Sequence, residues 1–103
     1  MDKVFVNIND LEWVSAKNYH KGTMRKSLRD DGDNKTILLK IPSGFEMGSH
    51  VHTVNEQHFI LEGEYAIGSN IFKKGTYQLF PKGFTHGPFH SKNGAVILVI
   101  WDS

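Results

Sequence analysis

The sequence has no cysteine among its 103 residues, which excludes disulfide staples and thiolate metal sites alike. It also lacks an excess of charge of either sign, with 12 Lys and Arg against 11 Asp and Glu. The basic residues are scattered, apart from Lys73-Lys74 and the stretch around Arg25-Lys26. A nucleic-acid partner needs a basic stripe or patch, and none is present in the sequence. Long apolar runs are missing as well. The longest, Ala95 to Trp101, is far too short to span a bilayer. Met1 to Phe5 lacks the basic segment and apolar run of a secretory signal. These absences predict a soluble, cytoplasmic protein with neither nucleic acid nor membrane as partner.

Helix signals are scarce too. Asn9-Asp10 could cap one turn through Trp13, and little else reads as helical. Strand signals recur instead. Val4-Phe5-Val6-Asn7-Ile8 alternates and is β-branched, and a short strand is expected to end at Leu28. Arg29 to Lys35 reads as a turn by composition. Further strands are predicted over 36–41, 56–61, 64–67, 71–72, 77–80 and 95–101, separated by Gly, Pro and Asn turns, including one at Glu62-Gly63. Short strands at this spacing specify a sandwich or barrel in one domain, 1–103. The last strand is apolar on both faces. One face should line the barrel, and the other needs cover from the N-terminal strand or a second subunit, so a homodimer is expected.

Five of the six histidines fall between His50 and His90. Any one alone would read as a surface or core imidazole, but their arrangement does not. His50 and His52 are two apart, so on extended backbone both leave one face. Glu56 opens a strand after a short connection, and His86 follows the Pro81-Lys82-Gly83 break. Three imidazoles and one carboxylate suit a borderline divalent transition metal, with Zn, Fe, Ni and Mn all compatible. His58, two after Glu56, should face the same side. It is either a structural histidine or a proton carrier beside the ligands. His90 is a candidate catalytic residue behind the ligands or a substrate contact, with exposure or packing beside Pro88 as the alternative. Gln57 should point away from the metal, and Phe59, Leu61 and Phe80 should be core. Trp13 and Tyr19 could pack over the barrel or lie at a dimer contact.

Gly44, His50-x-His52, Glu56 and Gly63 fall at the spacing of the first cupin motif, and Gly75, Pro81-x-Gly83 and His86 at that of the second. Nine defined residues at fixed spacing within 44–63 and 75–90 thus resemble the cupin family. The resemblance implies a double-stranded β-helix, or jelly-roll, barrel holding one metal ion on His50, His52, Glu56 and His86. One position departs from the pattern, since many cupins carry Asn where this chain has His90. More loosely, the chain is similar to small cupins related to the zinc-binding domain of ChrR-type anti-sigma factors. That group includes metal-dependent dioxygenases cleaving diketones or hydroxylated aryl ketones. The chain leaves no room for an N-terminal sigma-binding domain, so an anti-sigma role is not expected. The resemblance implies either an Fe(II)-type oxygenase acting on a small-molecule substrate or a non-catalytic zinc cupin that binds or senses a small molecule.

Overall fold

A computed structural model describes residues 3–103; Met1 and Asp2, the start of the stretch expected to lack a secretory signal, lie outside the described residues. Among the described residues the chain is all-β apart from one 3-10 turn, Ile8–Asp10. Its strands are β1 (Val14–Ser15), β2 (Met24–Asp31), β3 (Asn34–Ile41), β4 (Phe45–Met47), β5 (His50–Val51), β6 (Asn55–Ile67), β7 (Asn70–Lys73), β8 (Tyr77–Phe80), β9 (Thr85–His86), β10 (Phe89–Ser91) and β11 (Ala95–Asp102). Nine of them form one curled antiparallel sheet in the order β1-β2-β3-β11-β6-β10-β4, with β7 and β8 also pairing with β6. β5 and β9 form a separate two-stranded ribbon. This is the jelly-roll barrel expected of the motifs.

The core follows strand alternation. Ile37, Leu39 and Ile41 of β3, Ala95, Ile97 and Val99 of β11, and Ile60 of β6 point inward and are buried. Tyr65, Phe80 and Phe89 close the interior. Phe59 differs from expectation, since it is 42% exposed on the outer face. The reason is parity: Glu56, His58 and Ile60 take the inward positions, which sends Phe59 outward with Gln57. Leu61 is only half-buried, and Phe80 is core as expected.

Other differences also have structural causes. No strand forms over 4–8. The Asn7 side chain accepts from the Asn9 amide at 2.9 Å, and this local bond starts the 3-10 turn earlier than Asn9-Asp10 would. The turn predicted from Arg29 shrinks to Gly32-Asp33, because β2 continues to Asp31 opposite Asn34. The turn predicted at Glu62-Gly63 is instead a bulge inside β6. Ile97 pairs with Ile60 and Val96 with Glu62, so Leu61 is the extra residue. Gly63 has φ +74°, and a Cβ there would sit 2.1 Å from the Gly94 carbonyl oxygen. Only glycine permits that approach.

The N-terminal segment crosses the outer face of β2 and β3 without joining the sheet. Lys26 Nζ donates to the Ile8 carbonyl at 2.8 Å, and the Trp13 ring lies 4.8 Å from the same ammonium. The cover is partial. Leu98 and Ile100 are half-buried, and Tyr77 and Leu79 are each 53% exposed.

Candidate metal centre

Four donors meet at one end of the barrel. The β5–β9 ribbon pairs His50 directly with His86, which sets their rings 4.4 Å apart, centroid to centroid. His52 follows on the same face of the extended chain, with its ring 4.5 Å from His50 and 5.1 Å from His86. The loop after β8 holds this ribbon in place, because Gly83 donates its amide to the His52 carbonyl and Lys82 to Asn55 Oδ1. Glu56 enters from β6, its carboxylate buried. One donor atom from each of His50, His52, Glu56 and His86 lies within 4.8 Å of the others, a grouping that could hold a metal ion.

The chemistry of the donors fits such an ion. Both ring nitrogens of His86 are buried without a hydrogen-bond partner among the described residues. Orphaned buried nitrogens destabilise a fold, and a cation beside them removes that cost. Burial is the main cause that lowers the His86 pKa to about 4; the neighbouring histidines add to it and Glu56 opposes it. The imidazole is therefore neutral, as a ligand must be, across the physiological range. His50 Nδ1 lies 3.2 Å from the Gly48 carbonyl, which favours the tautomer that leaves Nε2 free.

Glu56 is held from both sides. Trp101 Nε1 donates to Oε1 at 2.7 Å, and His52 Nε2 lies 2.6 Å from the same oxygen. His58 Nε2 approaches Oε2 at 2.5 Å. Burial alone would raise the Glu56 carboxyl. The hydrogen bond and charge of His58, the charge of His52 and the Trp101 N–H outweigh it, and hold the group below the usual carboxylate range.

His58 continues a chain into the barrel. Tyr65 Oη donates to Gln78 Oε1 at 2.6 Å, so the 2.9 Å contact to His58 Nδ1 is a bond that the histidine donates. With Nδ1–H turned to Tyr65, Nε2 is the ring atom that faces Glu56. Burial, then the Glu56 charge, raises the Tyr65 hydroxyl well above its usual range, so it stays a donor. His58 is thus buried beside the four-donor group and not part of it. His90 lies outside it as well: it is exposed on β10, with Nε2 3.2 Å from the Gly68 carbonyl. His20 Nδ1 accepts the Glu46 amide at 3.2 Å, away from the group.

The sequence did not disclose Trp101, Tyr65 or Gln78. Trp101 stands directly opposite Glu56 in the β6–β11 ladder, a pairing 45 residues apart in the chain. Tyr19, for which the sequence left packing over the barrel and a dimer contact both open, lines a small interior cavity shared with Glu56, His58 and Tyr65 and an open cleft beside His50 and His52.

The chain matches the family described as ChrR cupin-like domain over residues 1–101. No curated protein matches it. Among solved structures it is similar to Rhodobacter sphaeroides SigE in complex with the anti-sigma ChrR, at 22% identity and a TM-score of 0.73 over 93% of this chain and 52% of that one. It therefore spans about half the length of that relative. It is also similar to an acetylacetone dioxygenase from Acinetobacter johnsonii, at 16% identity and a TM-score of 0.76 over 98% of this chain and 73% of that one. An RmlC-like cupin from Shewanella frigidimarina gives 16% identity and a TM-score of 0.80 over 97% and 90%. At these identities the structural likeness speaks for the fold, and the family match covers nearly the whole chain: the protein belongs to the ChrR cupin-like family.

Proposed function

We propose that this chain is a metal-dependent cupin enzyme that holds one divalent transition-metal ion on His50, His52, Glu56 and His86 and acts on a small molecule beside it. The observation that carries this reading is His86, a buried imidazole with two unpartnered nitrogens among three other donors. A cleft of about 570 Å³ opens at His50 and His52, which favours access for a substrate over a sealed structural site. An iron(II)-type dioxygenase is the reaction class we favour, in keeping with the acetylacetone dioxygenase neighbour.

A bound ion of this kind supplies Lewis acidity toward a substrate oxygen and, as iron(II), electrons for O₂. The rest is done by the chain. Trp101 and His58 fix one Glu56 oxygen each, so the carboxylate keeps its orientation. His58 Nε2 stands where a proton can be held next to Oε2, backed by Tyr65 and Gln78. Phe80 and Phe89 pack on the His86 and His50 rings and keep water from their inner side.

A second reading, a non-catalytic zinc cupin, draws on the family match itself and on the four donors, enough to complete a tetrahedral zinc site. We also read the exposed outer face of Phe59, Tyr77 and Leu79 as the seat of a second copy, and the location as cytoplasmic. Metal analysis of untagged protein, then anaerobic iron(II) loading with O₂-uptake assays on β-diketones, tests the enzyme reading. Iron near one per chain with diketone-dependent uptake supports it. Failure to bind any metal after reconstitution overturns it, and tight zinc without turnover favours the sensor.

A further inference from the structure

The cleft at His50 and His52 has a charged rim that the metal donors do not use. Lys17 and Lys35 line it together with Tyr19 and Trp101, and no acidic side chain does. Neither lysine has an ion-pair partner among the described residues. Arg25 lies just beyond, lining an adjoining cavity of about 360 Å³ that shares Lys17, Tyr19, Lys35 and Trp101 with the cleft. Asp30 also lines that cavity, with Oδ1 accepting the Gly32 amide, and stands opposite Lys35 in the β2–β3 ladder, while Asp33 lines a third cavity with Lys35 and His52. The rim therefore carries Lys17, Lys35 and Arg25 against Asp30 and Asp33, an excess of positive charge beside the donor group.

Local backbone sets this rim in place. The chain turns at Asn18, whose φ of +70° is left-handed, between Lys17 and Tyr19. Lys35 comes from the start of β3, beside the hairpin at Gly32-Asp33, and stands opposite Trp101 on β11. A neutral substrate would gain nothing from two unpaired ammonium groups held at the mouth. Of the four donors only Glu56 is anionic, so a divalent ion leaves the site a net positive charge, to which the rim adds.

We propose that the cleft selects small organic anions that carry a carboxylate in addition to the oxygens offered to the metal, with Lys17 and Lys35 receiving that carboxylate. This rests on the metal-centre reading above and narrows it from neutral diketones to keto acids of matching size. No bond is made or broken in this step. It is recognition by charge at the edge of the cleft.

The test uses the nickel(II)-loaded 103-residue chain, in which nickel(II) stands in for the metal without redox chemistry. Its probes are acetylacetone and acetopyruvate, which share one dicarbonyl unit and differ by a carboxylate. Affinities are measured by titration calorimetry at 20 mM and 500 mM NaCl, on wild type and on the K17Q/K35Q double variant. Acetopyruvate is expected to bind tighter, and its ratio to acetylacetone to fall about tenfold in K17Q/K35Q, the sum of two partly exposed ion pairs. The wild-type ratio should also fall with salt, which keeps the proposal testable even if the double variant folds poorly. A ratio unchanged by both salt and substitution overturns it while leaving the metal centre standing. Nickel that binds while neither probe does overturns the cleft as a substrate site, and a chain that takes no nickel overturns the metal reading beneath it.

Discussion

Replacing His86 by Phe should stabilise the metal-free protein while destroying its capacity for metal. In the metal-free chain both His86 nitrogens are buried without partners among the described residues, and the ring stacks on Phe80 at 4.6 Å, with 26° between planes. Each unsatisfied polar atom costs about 1–3 kcal/mol in a dry interior, and the low end applies beside an open cleft. Phe keeps the stacking and is one side-chain atom larger, an overpacking cost of about 1 kcal/mol. The net gain is about 1 kcal/mol, which raises Tm by about 4–8 °C in a domain of this size. The assay is thermal unfolding of chelator-treated wild type and H86F, repeated with Zn(II). Wild type should gain about 2.7 kcal/mol at metal concentrations about 100-fold above Kd, and H86F should gain far less, so the order of stability reverses. The pH dependence provides a second signature. His86 has a folded pKa of about 4 against an ordinary 6.5, so the unfolded chain binds more protons between these values. Stability is therefore intact above about pH 6.5 and falls as pH drops toward 4, by about 1–2 kcal/mol after discount for the wet rim. H86F should lack that slope. A metal-free H86F that melts below wild type by several degrees would refute the reasoning.

His58→Gln should leave about one metal per chain by elemental analysis but weaken affinity about 10- to 100-fold, since it removes a partner of a ligand and not a ligand; complete loss of metal would make His58 a ligand. Trp101→Phe removes the donor to Glu56 Oε1, and should cost about 1–2 kcal/mol in denaturant unfolding and about tenfold in metal affinity, because His52 still faces that oxygen. Gly63→Ala should destabilise by about 3 kcal/mol or more, read by urea unfolding, because its Cβ would meet backbone and not a movable side chain. His90→Ala should change stability by no more than about 0.5 kcal/mol in the same assay and leave metal content unaltered, since His90 is exposed and outside the donor group.

The sequence by itself determined the strand composition, the exclusion of thiolate chemistry and the four donors that the fold assembles. Their legibility has a physical basis. His50 and His52 share a face because strand side chains alternate, and Gly83 with its neighbours sets a local bend, so spacing alone carries the information. What only the tertiary structure decided is how those donors are supported. β6 carries an extra residue at Leu61, which reverses the inward parity along the strand. Glu56, His58 and Ile60 face inward before it, and Tyr65 faces inward after it. The bulge arises from pairing with Val96 and Ile97, more than thirty residues away, so no local pattern announces that Tyr65 will reach His58. Trp101 likewise meets Glu56 only because β11 lies beside β6 in that register. The outward turn of Phe59 and the irregular path of residues 4–8 are local by contrast, set by alternation along β6 from Glu56 and by the Asn7–Asn9 hydrogen bond.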